Sequence, residues 1–297
     1  MKVLVFGGSS VIGSRLVSIF DNADYTYFRN NIKIEGAKGF MIDIRNEKSV
    51  IDLIKKLNPD LVIHAAAAPN MDICEIDKKM AYDIHINGAK NIVEGCKAVN
   101  AKVVFLSTSA VFDGKKKIYT EEDETCAISY YGITKAEAEK VIIDSSIGFI
   151  IIRIDHPYGW VYFDGQKKNT AVRVLENLEK GMAVEEIIDW YNNPTFVDNL
   201  CIVIKKLVGE NAHGIYHAVG PDFLSRHDFA MKIAEVFEKD KNLVKKKVSD
   251  KLNLPAKRTN CNLDSKKTEK KTGIKLLGIK EGLEIMKKQR IERIKKF

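Results

Sequence analysis

The chain has 297 residues, 45% hydrophobic and 30% charged, with a formal net charge of +8. That length buries a sizeable core in one large or two modest domains, and the composition is that of an ordinary globular protein. No apolar run reaches the ~18 residues of a membrane span, and the short apolar start meets a glycine turn at once, so a cytoplasmic protein with neither signal peptide nor membrane anchor is expected.

Cys74, Cys96, Cys126, Cys201 and Cys261 lie far apart, with no Cys-x-x-Cys pair and no His at zinc-ligand spacing. Reduced, mostly buried thiols and no metal are expected. The charge is uneven: residues 241–297 hold 19 Lys or Arg against 6 Asp or Glu. Those cations alternate with apolar residues such as Ile279, Leu283 and Met286 at helical spacing, without aromatic partners. A solvated helical face is expected there, not a nucleic-acid surface.

Residues 2–6 read as a strand buried on both faces, broken by Gly7-Gly8-Ser9-Ser10 and followed by an apolar helical pattern over 11–20. Strand, glycine turn and helix present backbone N–H groups to a phosphate. Gly7, Ser9, Ser10, Val11, Ile12 and Gly13 are therefore candidates for a dinucleotide pyrophosphate, with Ser10 in a slot where glycine allows the closest approach. A second strand over 25–28 runs into Arg29. An acid there would bond a ribose 2′-OH; Arg29 suits a 2′-phosphate, so NADP(H) is favoured over NAD(H), which stays open. A third strand over 40–44 carries Asp43 and Ile44, placed for an adenine. A helix over 47–57 ends at Asn58-Pro59. A fourth strand over 61–64 ends in His64 and the small run Ala65, Ala66, Ala67, which leaves room for a ligand. His64 reads mainly as a structural residue.

A helix over 76–99 is interrupted at Asn87-Gly88, where Asn87 can bond backbone carbonyls and hold a kink. The fifth strand, 102–106, leads into Ser107-Thr108-Ser109-Ala110. About two dozen residues on stand Tyr131 and Lys135, whose i,i+4 spacing puts both on one helix face. A sixth strand over 149–153 ends in His156-Pro157-Tyr158-Gly159-Trp160. Strand–helix alternation without hairpin signals predicts an α/β fold, a doubly wound parallel sheet of Rossmann type. Gly7, Asp43, Ala65, Thr108 and Pro157 all follow strands, so they line the carboxyl edge where ligands bind. His156 and Pro157 are assigned to the cofactor. Thr108, Ser109, Ala110, Tyr158 and Trp160 are assigned to the substrate, with Arg153 and Arg173 as diphosphate partners. Further on, helices over 169–180, 198–208, 226–238, 265–272 and 281–295 and a strand over 214–217 are expected. Residues 1–155 with 193–218 are read as the NADP-binding domain, and 156–192 with 219–297 as a smaller α/β substrate lobe.

Together these motifs resemble the extended short-chain dehydrogenase/reductase (SDR) superfamily, and more closely the dTDP-4-dehydrorhamnose reductase family. The likeness rests on residues 7–13, His64-Ala65-Ala66, Ser107-Thr108-Ser109-Ala110-Val111-Phe112-Asp113-Gly114, Tyr131-Gly132-Ile133-Thr134-Lys135, Asn193-Pro194-Thr195 and Gly214-Ile215-Tyr216-His217. It implies a catalytic set of Thr108, Tyr131 and Lys135, with Tyr131 and Lys135 also touching cofactor. It implies NADPH-dependent reduction of a 4-keto nucleotide-sugar. Ser109 and Ala110 depart from the usual Asp-Tyr, which leaves the sugar open.

In that chemistry Tyr131 is the general acid and Thr108 the second donor as charge grows on the carbonyl oxygen. A Lys135 ammonium nearby would pull the phenol's pKa from about 10 toward neutrality. Two alternatives stand beside this one. An NAD-retaining epimerase would favour an acid where Arg29 stands. A non-catalytic NADP-binding subunit is suggested by a relative of the family that serves methionine adenosyltransferase. A homodimer through helices at 76–99 and 129–146 is also possible on this reading.

Overall fold

A computed structural model describes residues 1–294. The expected end of the last helix at Lys295 lies outside the described residues. Seven strands form one all-parallel sheet: β1 (Val3–Phe6), β2 (Ala23–Tyr27), β3 (Gly39–Met41), β4 (Leu61–His64), β5 (Lys102–Thr108), β6 (Phe149–Ile154) and β7 (Gly214–His217). Their order is β7-β6-β5-β4-β1-β2-β3. The order reverses between β1 and β4, so a crevice opens there at the carboxyl edge.

Both faces of the sheet are covered, which is why β1 and β4 are apolar without alternation. One face packs Val3, Val5, Ile63 and Ile152 against α1 (Val11–Ile19) and the helix Val197–Gly209. The other packs Leu4, Phe6, Val62 and Phe105 against α2 (Glu47–Leu57) and the helices Gly88–Val99 and Tyr130–Ile143. The α/β class and the parallel order agree with the sequence reading.

The stretch expected as one helix over 76–99 is four pieces: α3 (Met71–Ile76), α4 (Lys78–Tyr82), a π turn (Asp83–Asn87) and α5 (Gly88–Val99). The interruption is a wider turn, and Asn87 bonds the Asp83 carboxylate at 3.0 Å, not a carbonyl. β3 is only three residues long, so Asp43 and Ile44 lie beyond it. Next in order come α6 (Tyr130–Ile143), α7 (Thr170–Glu179), α8 (Val197–Gly209), α9 (Arg226–Val236), α10 (Lys266–Thr272) and α11 (Ile279–Ile294). A separate apolar cluster outside the sheet joins Tyr158, Leu175, Phe196, Phe229, Leu283 and Met286. Cys126 is exposed and the other four thiols are buried and free. Among the described residues no helix is long and apolar enough to cross a membrane.

Beneath the end of β5 lies a buried ion pair. Arg153 and Glu139, each with 2% of its side chain exposed, meet at 2.7 Å. Glu139 also accepts from Ser107, and His217 Nε2 lies 3.4 Å from the Arg153 guanidinium. Removing one partner strands a buried charge. Glu139→Leu alone is expected to cost about 3–5 kcal/mol in urea unfolding, whereas Glu139→Leu with Arg153→Met should recover most of that loss. Equal destabilisation by the single and double variants would contradict the pair's role.

Candidate active site

The site is built where α6 meets the turn after β5. Thr108 ends β5, and a 3-10 turn (Ser109–Val111) follows it at once. α6 crosses so close to this turn that a Cβ on Gly132 would lie 2.0 Å from the Ala110 carbonyl oxygen. Only glycine permits that approach, and it brings the neighbouring Tyr131 to Thr108. Thr108 Oγ1 accepts from Ala110 N at 3.2 Å, and the Thr108 side chain lies near enough to the Tyr131 hydroxyl to oppose its upward pKa shift. The flanking hydroxyls are committed elsewhere: Ser107 to Glu139, Ser109 to Asp155.

Lys135 is buried on the same helix, but its Nζ donates to the Leu106 carbonyl at 2.6 Å and sits 3.8 Å over the Phe105 ring. Burial pushes its pKa down to about 7, partly opposed by Glu139. Burial pushes Tyr131 up to about 12, partly opposed by Thr108. This corrects the expectation of a lysine-lowered phenol. Desolvation dominates both groups, and the ammonium is turned toward a carbonyl and a ring face.

Beside this pair lies the glycine turn. Gly7 has φ +79°, and a Cβ there would meet the Ala66 amide at 2.7 Å. The turn thus packs directly on the run after β4, which brings residues 7–13 and Ala65 and Ala66 to one crevice, with Ala67 exposed beside them. Ser10 caps α1 by accepting from Gly13 N at 3.0 Å, which leaves the N–H groups of that first turn at the helix's positive end. Gln166 reaches in from another part of the chain, donating to the carbonyls of Ser9 (3.2 Å) and Ser10 (3.1 Å). Arg29 is exposed after β2, with its guanidinium 5.5 Å from the Phe28 ring centre; Arg45 lies 5.7 Å from the same ring.

Several expected site residues lie elsewhere. Asp43 is held in a fork by Arg45, at 2.9 and 2.6 Å, so its carboxylate is occupied. Ile44 is buried against Gly88, and its carbonyl accepts from Asn91. His64 is inside the sheet, its ring 5.0 Å from Phe105, with neither nitrogen bonded among the described residues. His156, at φ +37°, turns its ring edge-on to Phe229, away from the cofactor crevice. Pro157 pairs with Thr195 in a two-residue strand. Tyr158 is fully buried between Phe196 and Phe229. Trp160 donates its indole N–H to the Met286 carbonyl at 2.9 Å. Arg153 is the core ion pair already described, and Arg173 pairs with Glu186. Each of these was placed by a strand end or a charge alone, and Asp43, Trp160, Arg153 and Arg173 are engaged by partners inside the fold.

A further cluster of aromatic and charged residues lies outside the sequence reading. The guanidiniums of Arg226 and Arg258 each lie 5.3 Å from the Trp190 ring centre. Arg258 is tied at 2.6 Å to Asp72 of α3, the helix after the 65–68 run. No local pattern marks this trio, because its members are far apart in sequence. Asp155 does follow the strand-end rule, one residue past β6. It is buried and accepts from Asn193 N at 2.8 Å and Asn192 Nδ2 at 3.2 Å. His85 of the π turn touches both the 65–68 run and α6.

The chain belongs to the RmlD substrate-binding-domain family. Its family model, described as the RmlD substrate binding domain, matches residues 1–291. The chain is 28% identical over 241 residues to a dTDP-4-dehydrorhamnose reductase of Aggregatibacter actinomycetemcomitans, covering 78% of each chain. It is 24% identical over 243 residues to methionine adenosyltransferase 2 subunit beta of Rattus norvegicus, covering 80% of this chain and 72% of that one. A solved dTDP-4-dehydrorhamnose reductase from Bacillus anthracis, in complex with NADP, superposes with a TM-score of 0.85 at 24% identity, covering 97% of this chain and all of that one.

Burial pushes the Asp155 carboxyl up to about 6, against the opposing bonds from Asn193, Asn192 and Ser109 and the Arg226 charge. A raised carboxyl favours the folded state while protonated. That contribution is present below about pH 4 and is lost as pH rises through about 6, roughly 3 kcal/mol in all. In Asp155→Asn the dependence disappears. Urea unfolding of both proteins from pH 4 to pH 7 should show the variant gaining about that much relative to the wild type as pH rises. Parallel pH profiles would contradict the raised carboxyl.

Proposed function

We propose that the chain is an NADPH-dependent reductase that converts the 4-keto group of a nucleotide-sugar to an alcohol. The observation that carries this reading is the Thr108–Tyr131 pair at the carboxyl edge, next to a glycine turn that opens a helix. The family's reductases, including the 28% identical one, support the same reaction class.

The residues present fit a dinucleotide. The first turn of α1 offers N–H groups to phosphates, and Gly7 keeps the floor of the crevice free of a Cβ. Arg29, beside Phe28 at the end of β2, suits a 2′-phosphate, and the Bacillus anthracis structure was solved with NADP. When bound, NADPH supplies the hydride. Charge then develops on the carbonyl oxygen, and Thr108 donates a hydrogen bond to it while Tyr131 donates its proton. A phenol near 12 stays protonated across the working pH range, as a general acid must. An alkoxide is more basic than a phenolate, so the transfer runs downhill. The phenolate regains its proton from water, because Lys135 Nζ is turned to the Leu106 carbonyl and the Phe105 ring. Arg226, beside Trp190, gives a cation for the diphosphate.

A second reading has its own support in the 24% identical methionine adenosyltransferase subunit. In it the chain holds NADP and regulates another enzyme. The deciding experiment follows NADPH oxidation with 4-keto-6-deoxy sugars linked to dTDP, UDP and GDP. Oxidation with one of them supports the reductase. Binding of NADPH with no oxidation by any keto-sugar, and co-purification with an unrelated enzyme, supports the regulatory subunit. In the reductase, Tyr131→Phe should lower kcat by about 10²–10⁴-fold with NADPH affinity nearly unchanged. Arg226→Ala should raise KM for the nucleotide-sugar about tenfold or more with little change in kcat. Full activity in Tyr131→Phe would remove Tyr131 from this role.

A further inference from the structure

His85 is a buried titratable side chain that the proposed reaction does not use. It lies in the π turn between α4 and α5, with 1% of its surface exposed. Ala68 N–H donates to its Nε2 at 3.0 Å, and its Nδ1 lies 2.7 Å from Thr134 Oγ1. A backbone amide can only donate, so Nε2 is the bare nitrogen and Nδ1 carries the proton. Nδ1–H therefore donates to Thr134. The Thr134 hydroxyl in turn donates to the carbonyls of Tyr130 and Tyr131, each at 3.0 Å. The bonds run in one direction, from the amide of Ala68 through an imidazole and a hydroxyl to the backbone that carries Tyr131. Chains of this kind polarise and stiffen one another in a low-dielectric interior.

A second contact leads to the same place. The His85 ring meets the Tyr131 ring edge-on, with centroids 5.5 Å apart at 79°. The π turn accounts for the reach. It inserts an extra residue into the helical turn, which swings His85 off the α-helical register and lets one side chain touch two elements. Charging the ring would set a second N–H against Ala68 N–H. Burial and the Lys135 charge hold its pKa at about 3, so the ring is neutral and the direction of the chain is fixed.

We propose that His85 is a positioning residue that couples occupancy of the dinucleotide crevice, felt at residues 65–68, to the seating of Tyr131 on α6. This rests on the dinucleotide reading of the crevice. A ligand packed on the 65–68 run restrains the Ala68 amide, the amide restrains the imidazole, and the imidazole restrains the turn of α6 between Tyr131 and Lys135. A merely structural histidine would hold the fold together without making α6 respond to the cofactor.

The test is hydrogen exchange of the full chain with and without NADPH, in wild type, His85→Phe and Thr134→Val. His85→Phe keeps the ring contact and removes both bonds. Thr134→Val leaves the Ala68 bond and breaks the next one. In wild type, NADPH should slow exchange over 7–13 and, about tenfold, over 129–136. In both variants the protection over 7–13 should persist while that over 129–136 falls below about threefold. The double variant should lose no more than either single, because all three break one chain. Where turnover is measured, kcat should fall in each variant with NADPH affinity unchanged. If His85→Phe does not fold, Thr134→Val alone decides. Equal NADPH-dependent protection of 129–136 in wild type and variants would overturn the coupling. Failure of wild type to bind NADPH would overturn the dinucleotide reading and the coupling with it.

Discussion

The candidate site depends on one close approach. α6 comes so near the turn after β5 that Gly132 sits against the Ala110 carbonyl, where any side chain would collide. That contact sets Tyr131 opposite Thr108. The buried Glu139–Arg153 pair lies below it, with Ser107 and His217 attached, so α6, β5, β6 and β7 are linked in one polar network within an apolar layer. Such networks are costly when broken and restrictive when complete. A second close approach, Gly7 against Ala66, does for the crevice what Gly132 does for the tyrosine. Both glycines remove bulk where two backbones must meet, and both contacts lie at the same end of the sheet.

Burial sets the electrostatics of the pair. The phenol and the ammonium are both taken out of water, and each shifts toward its neutral form. The lysine then finds a carbonyl and an aromatic face, and does not project toward the tyrosine. A protonated tyrosine beside a half-neutral lysine suits proton donation to a nascent alkoxide. Asp155, raised by burial to about 6 and charged above that pH, lies close enough to raise the phenol further.

Much of this was legible in the residues. Strand–helix alternation with buried, non-alternating strands predicts a parallel sheet, and the strand-end rule finds the edge where Gly7, Ala66 and Thr108 come together. The family resemblance selects Thr108 from three adjacent hydroxyls, and in the fold the Ser107 hydroxyl is engaged with Glu139. Side chains were less legible than backbone. Arg153 ends an apolar strand, and its partner Glu139 is one helical turn past Lys135, a face-sharing signal that was present but unread. Tyr158 and Trp160 looked like a loop over a ligand, yet both pack with residues from α9 or α11 that are far along the chain. Trp190, Arg226 and Arg258 meet only through tertiary structure, and no window of sequence contains them. The π turn at 83–87 shows in the sequence only as an interruption at Asn87-Gly88, displaced from the residue that matters, His85.

The central claim is that the edge formed by the glycine turn, the 65–68 run and Thr108–Tyr131 is one dinucleotide-dependent reaction site. A crystal structure of the chain with NADP⁺ tests it most directly. The account predicts the pyrophosphate over residues 7–13 and the nicotinamide C4 within about 4 Å of a carbonyl position reachable by both Tyr131 and Thr108. A dinucleotide whose nicotinamide lies away from that pair, or a glycine turn that takes no dinucleotide at all, would contradict it.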